Sequence, residues 1–125
     1  MIADSQLQVI ICTSNLAEAK RFYGEVLELP SKGSSLGAEV YDVSGIPLRV
    51  SPVQSSQPSE HTVLGFAVSD LETVATWLLA KGIQFERFPS FSHDALGIVL
   101  APDGSRVLWF RDPDGNPLSV VQYAS

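Results

Sequence analysis

The sequence predicts an α+β fold made of two tandem copies of one strand–helix–strands unit, and three observations carry that prediction. Ser14-Asn15-Leu16 is matched by Ser69-Asp70-Leu71, and Phe22 by Trp77, at an offset of 55 residues. Gly45-Ile46-Pro47-Leu48-Arg49-Val50 is matched by Gly115-Asn116-Pro117-Leu118-Ser119-Val120 at an offset of 70. Around both sets of markers, apolar stretches of strand character alternate with a helical spacing of apolar residues. Two offsets in the same order indicate an internal repeat whose second copy carries about 15 extra residues.

Residues 6–13 form an apolar stretch and predict the first strand. Asn15 or Ser14 suits a helix N-cap. Leu16, Ala19, Phe22/Tyr23 and Val26/Leu27 then fall on one helical face, and Pro30 and Gly33 stop the helix. Residues 38–43 and 46–53 predict two strands joined by a turn at Ser44-Gly45. Residues 54–60 (QSSQPSE) are polar, contain a proline and read as a linker. This places module one at about residues 5–53 and module two at about 61–125 of a single domain spanning 1–125.

The pattern then restarts. Residues 63–68 predict a strand. Ser69 and Glu72 fit a capping box. Leu71, Val74, Trp77 and Leu78 form the expected buried stripe, with Trp77 in the core, and Gly82 ends the helix. The extra residues fall in 88–104, rich in Pro, Ser, Phe and Gly. Residues 107–123 (VLWFRDPDGNPLSVVQY) close the chain as two apolar strands around Asp112-Pro113-Asp114-Gly115-Asn116. Pro113 presets φ at the first corner, Asp112 caps the turn with its carboxylate, and Gly115 takes the positive φ.

Strand alternation gives each strand two faces. Leu7, Val9, Ile11, Leu48, Val50, Leu64, Phe66, Val68, Leu118 and Val120 share one face and are expected to pack under the helices. The opposite face holds Gln8, Ile10, Cys12, Pro47, Arg49, Ser51, Val63, Gly65, Ala67, Ser119, Val121 and Tyr123. A sheet covered on one side only, with small and polar residues on the other, is expected to curl into a concave surface, the default place for a ligand. A solvent-facing or dimer-packing face is the alternative.

Composition removes several function classes. The chain has 125 residues, 45% of them hydrophobic, and a net charge of −6 with no basic run, which argues against nonspecific binding of nucleic acid or an anionic membrane. Cys12 is the only cysteine, so an intrachain disulfide and a cysteine-based zinc site are out of reach. Neither a signal-peptide pattern nor an apolar run of about 18 residues is present, which makes a soluble, cytoplasmic protein the expectation. No Gly-rich phosphate loop, Ser/His/Asp arrangement or paired-histidine helix is visible.

The aromatic residue before D-P-D-G-N and the apolar strand after it resemble the closing signature of the vicinal oxygen chelate superfamily, which includes glyoxalase I, extradiol dioxygenases and bleomycin-resistance proteins. The strand-to-helix pattern ending in Phe22-Tyr23 adds to the likeness. Both halves resemble that superfamily's βαβββ modules, which implies a curved mixed sheet with helices on the outer face and a cup on the inner face. In metal-using members the cup holds one divalent metal on His, Gln and Glu from the first and last strand of each module. The resemblance carries those positions onto Gln8, Arg49, Val63 and Ser119. Gln8 is compatible with ligation. Arg49 is not, because its guanidinium stays protonated. Val63 has no donor, and Ser119 stands where the superfamily's glutamate usually follows the turn. His61 precedes Val63 by two residues, about 6–7 Å along a strand, against a metal–imidazole bond of roughly 2 Å. His93 lies in the inserted segment. The expectation is a degenerate site with no metal and no cofactor.

Arg49 is the sharpest clue on the inner face. A buried guanidinium calls for an anion. Glu39, Asp42 or Asp94 would serve from within the chain, a ligand carboxylate or phosphate from outside it, and a solvated rim position would need neither. Trp109 can stack on a planar ligand or fill a core or dimer interface. Tyr123 closes the cup or covers an edge, and Cys12 is a small apolar filler. His93-Asp94 is an acid–base pair only if a loop brings both side chains to one side. These residues support a metal-free protein that binds a small anionic or aromatic molecule through Gln8, Arg49, Trp109, Ser119 and Tyr123, and that forms a homodimer as the superfamily implies. The alternative is a metal-dependent lyase, isomerase or dioxygenase of the glyoxalase class. A scaffold whose cup is filled by its own side chains is the third reading.

Overall fold

A strand, a helix and three further strands follow one another twice along the chain. The computed structural model describes residues 1–125, which divide into two units, Met1–Gln57 and Pro58–Ser125.

In the first unit β1 (Val9–Thr13) leads into α1 (Leu16–Lys20), followed by β2 (Ser31–Ser35), β3 (Ala38–Val43) and β4 (Ile46–Pro52). The sheet order is β1-β4-β3-β2, with β1 parallel to β4 and the other neighbours antiparallel. Asn15 caps α1, its Oδ1 accepting from the Glu18 N–H at 3.2 Å. The helix then widens into a π-helical turn, Arg21–Val26, where the Leu27 N–H reaches back five residues to the Phe22 carbonyl. Ser44 (φ 49°) and Gly45 (φ 88°) join β3 to β4 as a two-residue turn with both φ values positive, the hairpin geometry that matches strand twist. Ile11, Ala19, Tyr23, Tyr41, Leu48 and Val50 form the core.

Two expectations fail here. Leu7 was placed under the helix, but it precedes β1, has no strand partner and is 69% exposed. β2 is a strand the sequence does not announce: Ser-Lys-Gly-Ser-Ser has no apolar alternation because every residue of this edge strand is exposed.

The second unit repeats the plan with β5 (Leu64–Ala67), α2 (Leu71–Ala80), β6 (Val99–Leu100), β7 (Arg106–Arg111) and β8 (Pro117–Gln122), in the order β5-β8-β7-β6. The repeat is exact in register. Val9 pairs with Leu48 and Leu64 with Leu118, which are the same pair under the offsets of 55 and 70. The caps coincide too: Asn15 sits at φ −143°, ψ 89° and Asp70 at φ −140°, ψ 90°.

The cap of α2 is therefore Asp70, one residue beyond the predicted Ser69. Its Oδ1 accepts from the Thr73 N–H and its Oδ2 from the Thr73 hydroxyl. Gln122 on β8 supplies a further acceptor, taking the Leu71 N–H at 2.8 Å. The buried positions of α2 are Leu71, Ala75 and Leu78. Trp77 is not a core residue. It is 38% exposed, and the Lys81 ammonium lies 5.2 Å from its ring centroid. Gly82 (φ 89°) ends the helix. Leu108, Phe110, Leu118 and Val120 complete this unit's core. No helix is long and apolar enough to cross a membrane.

Candidate functional site

The faces of the two sheets turned away from the buried core carry the candidate residues, and strand register fixes which of them are neighbours. In the first unit, Arg49 pairs with Ile10 on one side and Val40 on the other, and Cys12 pairs with Ser51. Arg49 is half-buried, and its Nη2 donates to the Ser35 carbonyl at 2.6 Å. No carboxylate pairs with it. Glu39 is one residue from Val40 and so lies on the other face, where its oxygens accept from the Ser31 and Ser34 hydroxyls. Asp42 makes no ion pair with Arg49, and Asp94 belongs to the second unit, where its Oδ1 accepts from the Leu96 and Ile98 N–H groups. The remaining guanidinium donors are thus available to an anion. Gln8 lies one residue before β1 and is exposed, as is Cys12.

In the second unit, Ser119 pairs with Gly65 on one side and Trp109 on the other. A Cβ at Gly65 would lie 3.0 Å from the Ser119 hydroxyl, so glycine there makes room for it. One face of Trp109 is already covered. The Phe91 ring stacks on it at 5.7 Å between centroids and 15° between planes, and Phe88 meets it edge-on at 5.3 Å. Tyr123 follows β8 and is exposed. Val63 precedes β5 and donates its N–H to the Pro117 carbonyl. His61 is exposed, with its backbone N–H held by the Ser59 hydroxyl.

The sequence missed Phe88 and Phe91 as partners of Trp109. The available signal was two phenylalanines three residues apart in a segment with no strand or helix period, which need an apolar partner to be covered. His93 pins the same segment. Its Nε2 accepts from the Phe88 N–H at 2.9 Å, and its Nδ1 is 2.8 Å from the Gly97 carbonyl, which sets the tautomer with the proton on Nδ1. With both nitrogens engaged, and with Asp94 accepting from the Leu96 and Ile98 N–H groups and facing Arg106 at 3.8 Å, the pair is a loop brace rather than an acid–base couple.

The turn after β7 is equally structural. Asp112 is 5% exposed. Its Oδ1 accepts from the Asp114 and Asn116 N–H groups and its Oδ2 from the Asn116 side-chain amide, while its own N–H donates to the Asn116 carbonyl. Arg111 braces the turn by donating to the Gly115 carbonyl and pairing with Glu86.

The sequence matches the model of the Glyoxalase/Bleomycin resistance protein/Dioxygenase superfamily over residues 5–120. The chain belongs to that superfamily. Its fold is similar to solved structures along nearly its whole length. A glyoxalase family protein from Bacillus anthracis is 16% identical with a TM-score of 0.76, the match covering 97% of this chain and 96% of that one. A glyoxalase family protein from Enterococcus faecalis is 22% identical with a TM-score of 0.73, covering 98% and 100%. A lactoylglutathione lyase from Agrobacterium tumefaciens is 19% identical with a TM-score of 0.71, covering 95% and 93%. No curated protein matches the sequence.

Membership raises the question of the metal that some superfamily members use. Of the four positions expected from the resemblance to carry ligands, Gln8 alone has a donor of the usual kind. Arg49 presents a guanidinium already bonded to Ser35, Val63 presents a hydrocarbon side chain, and Ser119 presents a neutral hydroxyl. No three His, Cys, Asp or Glu side chains are grouped to hold a metal ion. The residues present do not fit the superfamily's metal site.

Proposed function

We propose that this superfamily member is a metal-free small-molecule binder that takes an anionic, preferably aromatic, organic compound on the inner sheet face that carries Arg49. The observation that carries the reading is Arg49, a fixed cation on the inner sheet face whose only protein partner is a backbone carbonyl. A guanidinium forks onto a carboxylate or phosphate through two parallel N–H bonds. In the first unit Gln8 offers a neutral polar anchor; in the second, Ser119 offers a hydroxyl and Trp109 and Tyr123 offer ring surface. The ligand takes the cation from Arg49, so no metal is needed to polarise or hold it. A homodimer related by a two-fold axis suits the superfamily's habit and would be an isologous assembly.

The test is thermal unfolding with a panel of aromatic carboxylates and phosphates, on the native chain and on Arg49→Ala. A compound held at about 100 times its Kd stabilises the native state by ~2.7 kcal/mol, which reads as a rise of several degrees in Tm. The rise is expected with the native chain and not with Arg49→Ala. An undiminished rise in Arg49→Ala, or a rise with divalent metals alone, overturns the reading.

A further inference from the structure

On the helix side of the first unit, the π-helical turn and β3 border an open pocket of about 590 Å³ whose lining includes Lys20, Arg21, Gly24, Glu25, Glu39 and Tyr41. The metal-free reading above makes no use of it. Its floor presents two polar groups that the fold leaves incompletely used. Glu39 is 9% exposed, and no cation bonds to it directly, Lys20 acting on it only through space. Each of its oxygens accepts one hydrogen bond at 2.9 Å, from the Ser34 and Ser31 hydroxyls, and these bonds hold the carboxyl below its ordinary range. A carboxylate has about four lone-pair positions, so acceptor capacity remains. A covered charge of this kind ordinarily has a charged partner.

Tyr41 stands two residues along the same strand face, about 6–7 Å away. It is 2% exposed, and its hydroxyl bonds to no other group of the chain. Burial, and then the charge of Glu39, raise its ionisation, so it remains a neutral hydroxyl with lone pairs to offer. Gly24 keeps that hydroxyl within reach of the pocket, because a Cβ there would come within 3.3 Å of it. Gly24 is in this place because the helix widens at Arg21–Val26, the kind of irregularity that gathers at functional sites. The exposed rim carries Lys20 and Arg21, with Glu25 beside them and Arg21 only loosely paired with Glu18 at 3.7 Å.

We propose that this pocket binds a small zwitterion, a primary ammonium seated between the Glu39 carboxylate and the Tyr41 hydroxyl and a carboxylate held at the rim by Lys20 and Arg21. The probe is 4-aminobutyrate, with butylamine and butyrate carrying one charge each, followed by amide chemical shifts in NMR titrations. Saturable shifts centred on Gly24 and Tyr41 are expected with 4-aminobutyrate, weaker binding with butylamine and none with butyrate. Glu39→Gln, whose amide oxygen can accept from one serine hydroxyl while its NH2 donates to the other, should weaken 4-aminobutyrate by roughly tenfold or more. Should that variant lose its native spectrum, Tyr41→Phe removes a hydroxyl without a protein partner and should weaken binding by about threefold. No saturable shift with 4-aminobutyrate, equal affinity for butylamine, or unchanged affinity in the folded variant overturns the proposal. None of these outcomes bears on the Arg49 reading, which uses the opposite face of the sheet.

Discussion

The hairpin that closes each unit shows two solutions to one task. In the first unit, Ser44 and Gly45 close β3 on β4 with two residues, and backbone conformation alone sets the turn. In the second, five residues separate Arg111 from its partner Pro117, and two backbone hydrogen bonds, from the Asp112 N–H to the Asn116 carbonyl and from the Gly115 N–H to the Asp112 carbonyl, span the turn. The Asp112 carboxylate reinforces them by gathering the N–H groups of Asp114 and Asn116 and the Asn116 amide. Lengthening the turn thus adds side-chain work to that of the backbone. It also explains why the most motif-like stretch of the chain is architectural and why the acid in it takes no part in the proposed site.

The comparison can be broken most sharply at Asp112. Asp112→Ala leaves buried N–H groups unpaired and should lower unfolding free energy by about 2–3 kcal/mol, measured by denaturant titration. Ser44→Ala at the matching turn should change it by no more than about 0.5 kcal/mol. Equal effects would mean that the two turns are held alike.

The helix caps sharpen the comparison, because geometry is shared and chemistry is not. Asn15→Ala should cost about 1 kcal/mol at any pH. Asp70 adds a pH dependence: the Thr73 hydroxyl and N–H hold its carboxyl below the ordinary range. A carboxyl depressed in the folded state contributes fully above its unfolded value and loses that contribution as pH falls through the folded one. Asp70→Asn should therefore flatten part of the acid-side fall in Tm below about pH 5. Asn15→Asp should steepen it. The same slope in all three proteins would show that the caps do not titrate as described.

Much of this architecture was legible because the repeat is written in the residues that make turns, caps and buried strand faces. Leu48 and Leu118, or Asn15 and Asp70, are forced by geometry that both units share. The misses follow from features without a local signal. Trp77 was assigned to the core by position in a helical stripe. The stripe that is buried contains Leu71, Ala75 and Leu78, and Trp77 finds Lys81 at the surface instead. β2 is an exposed edge whose residues carry no alternation. Within the candidate site, Arg49, Ser119 and Trp109 were legible from alternation. Their partners were not, because the Ser35 carbonyl and the Phe91 ring are supplied by an edge strand and an irregular segment that periodicity does not describe.

The inner faces differ as well, a guanidinium in one unit and a hydroxyl beside stacked aromatic rings in the other. The central claim is that neither face holds a metal. Calorimetric titration of the purified chain with nickel, zinc, manganese and ferrous iron tests that directly. The account predicts no saturable binding of any of the four. One tightly bound ion per chain would contradict it and would return Gln8 and residues outside the superfamily positions to the role of ligands.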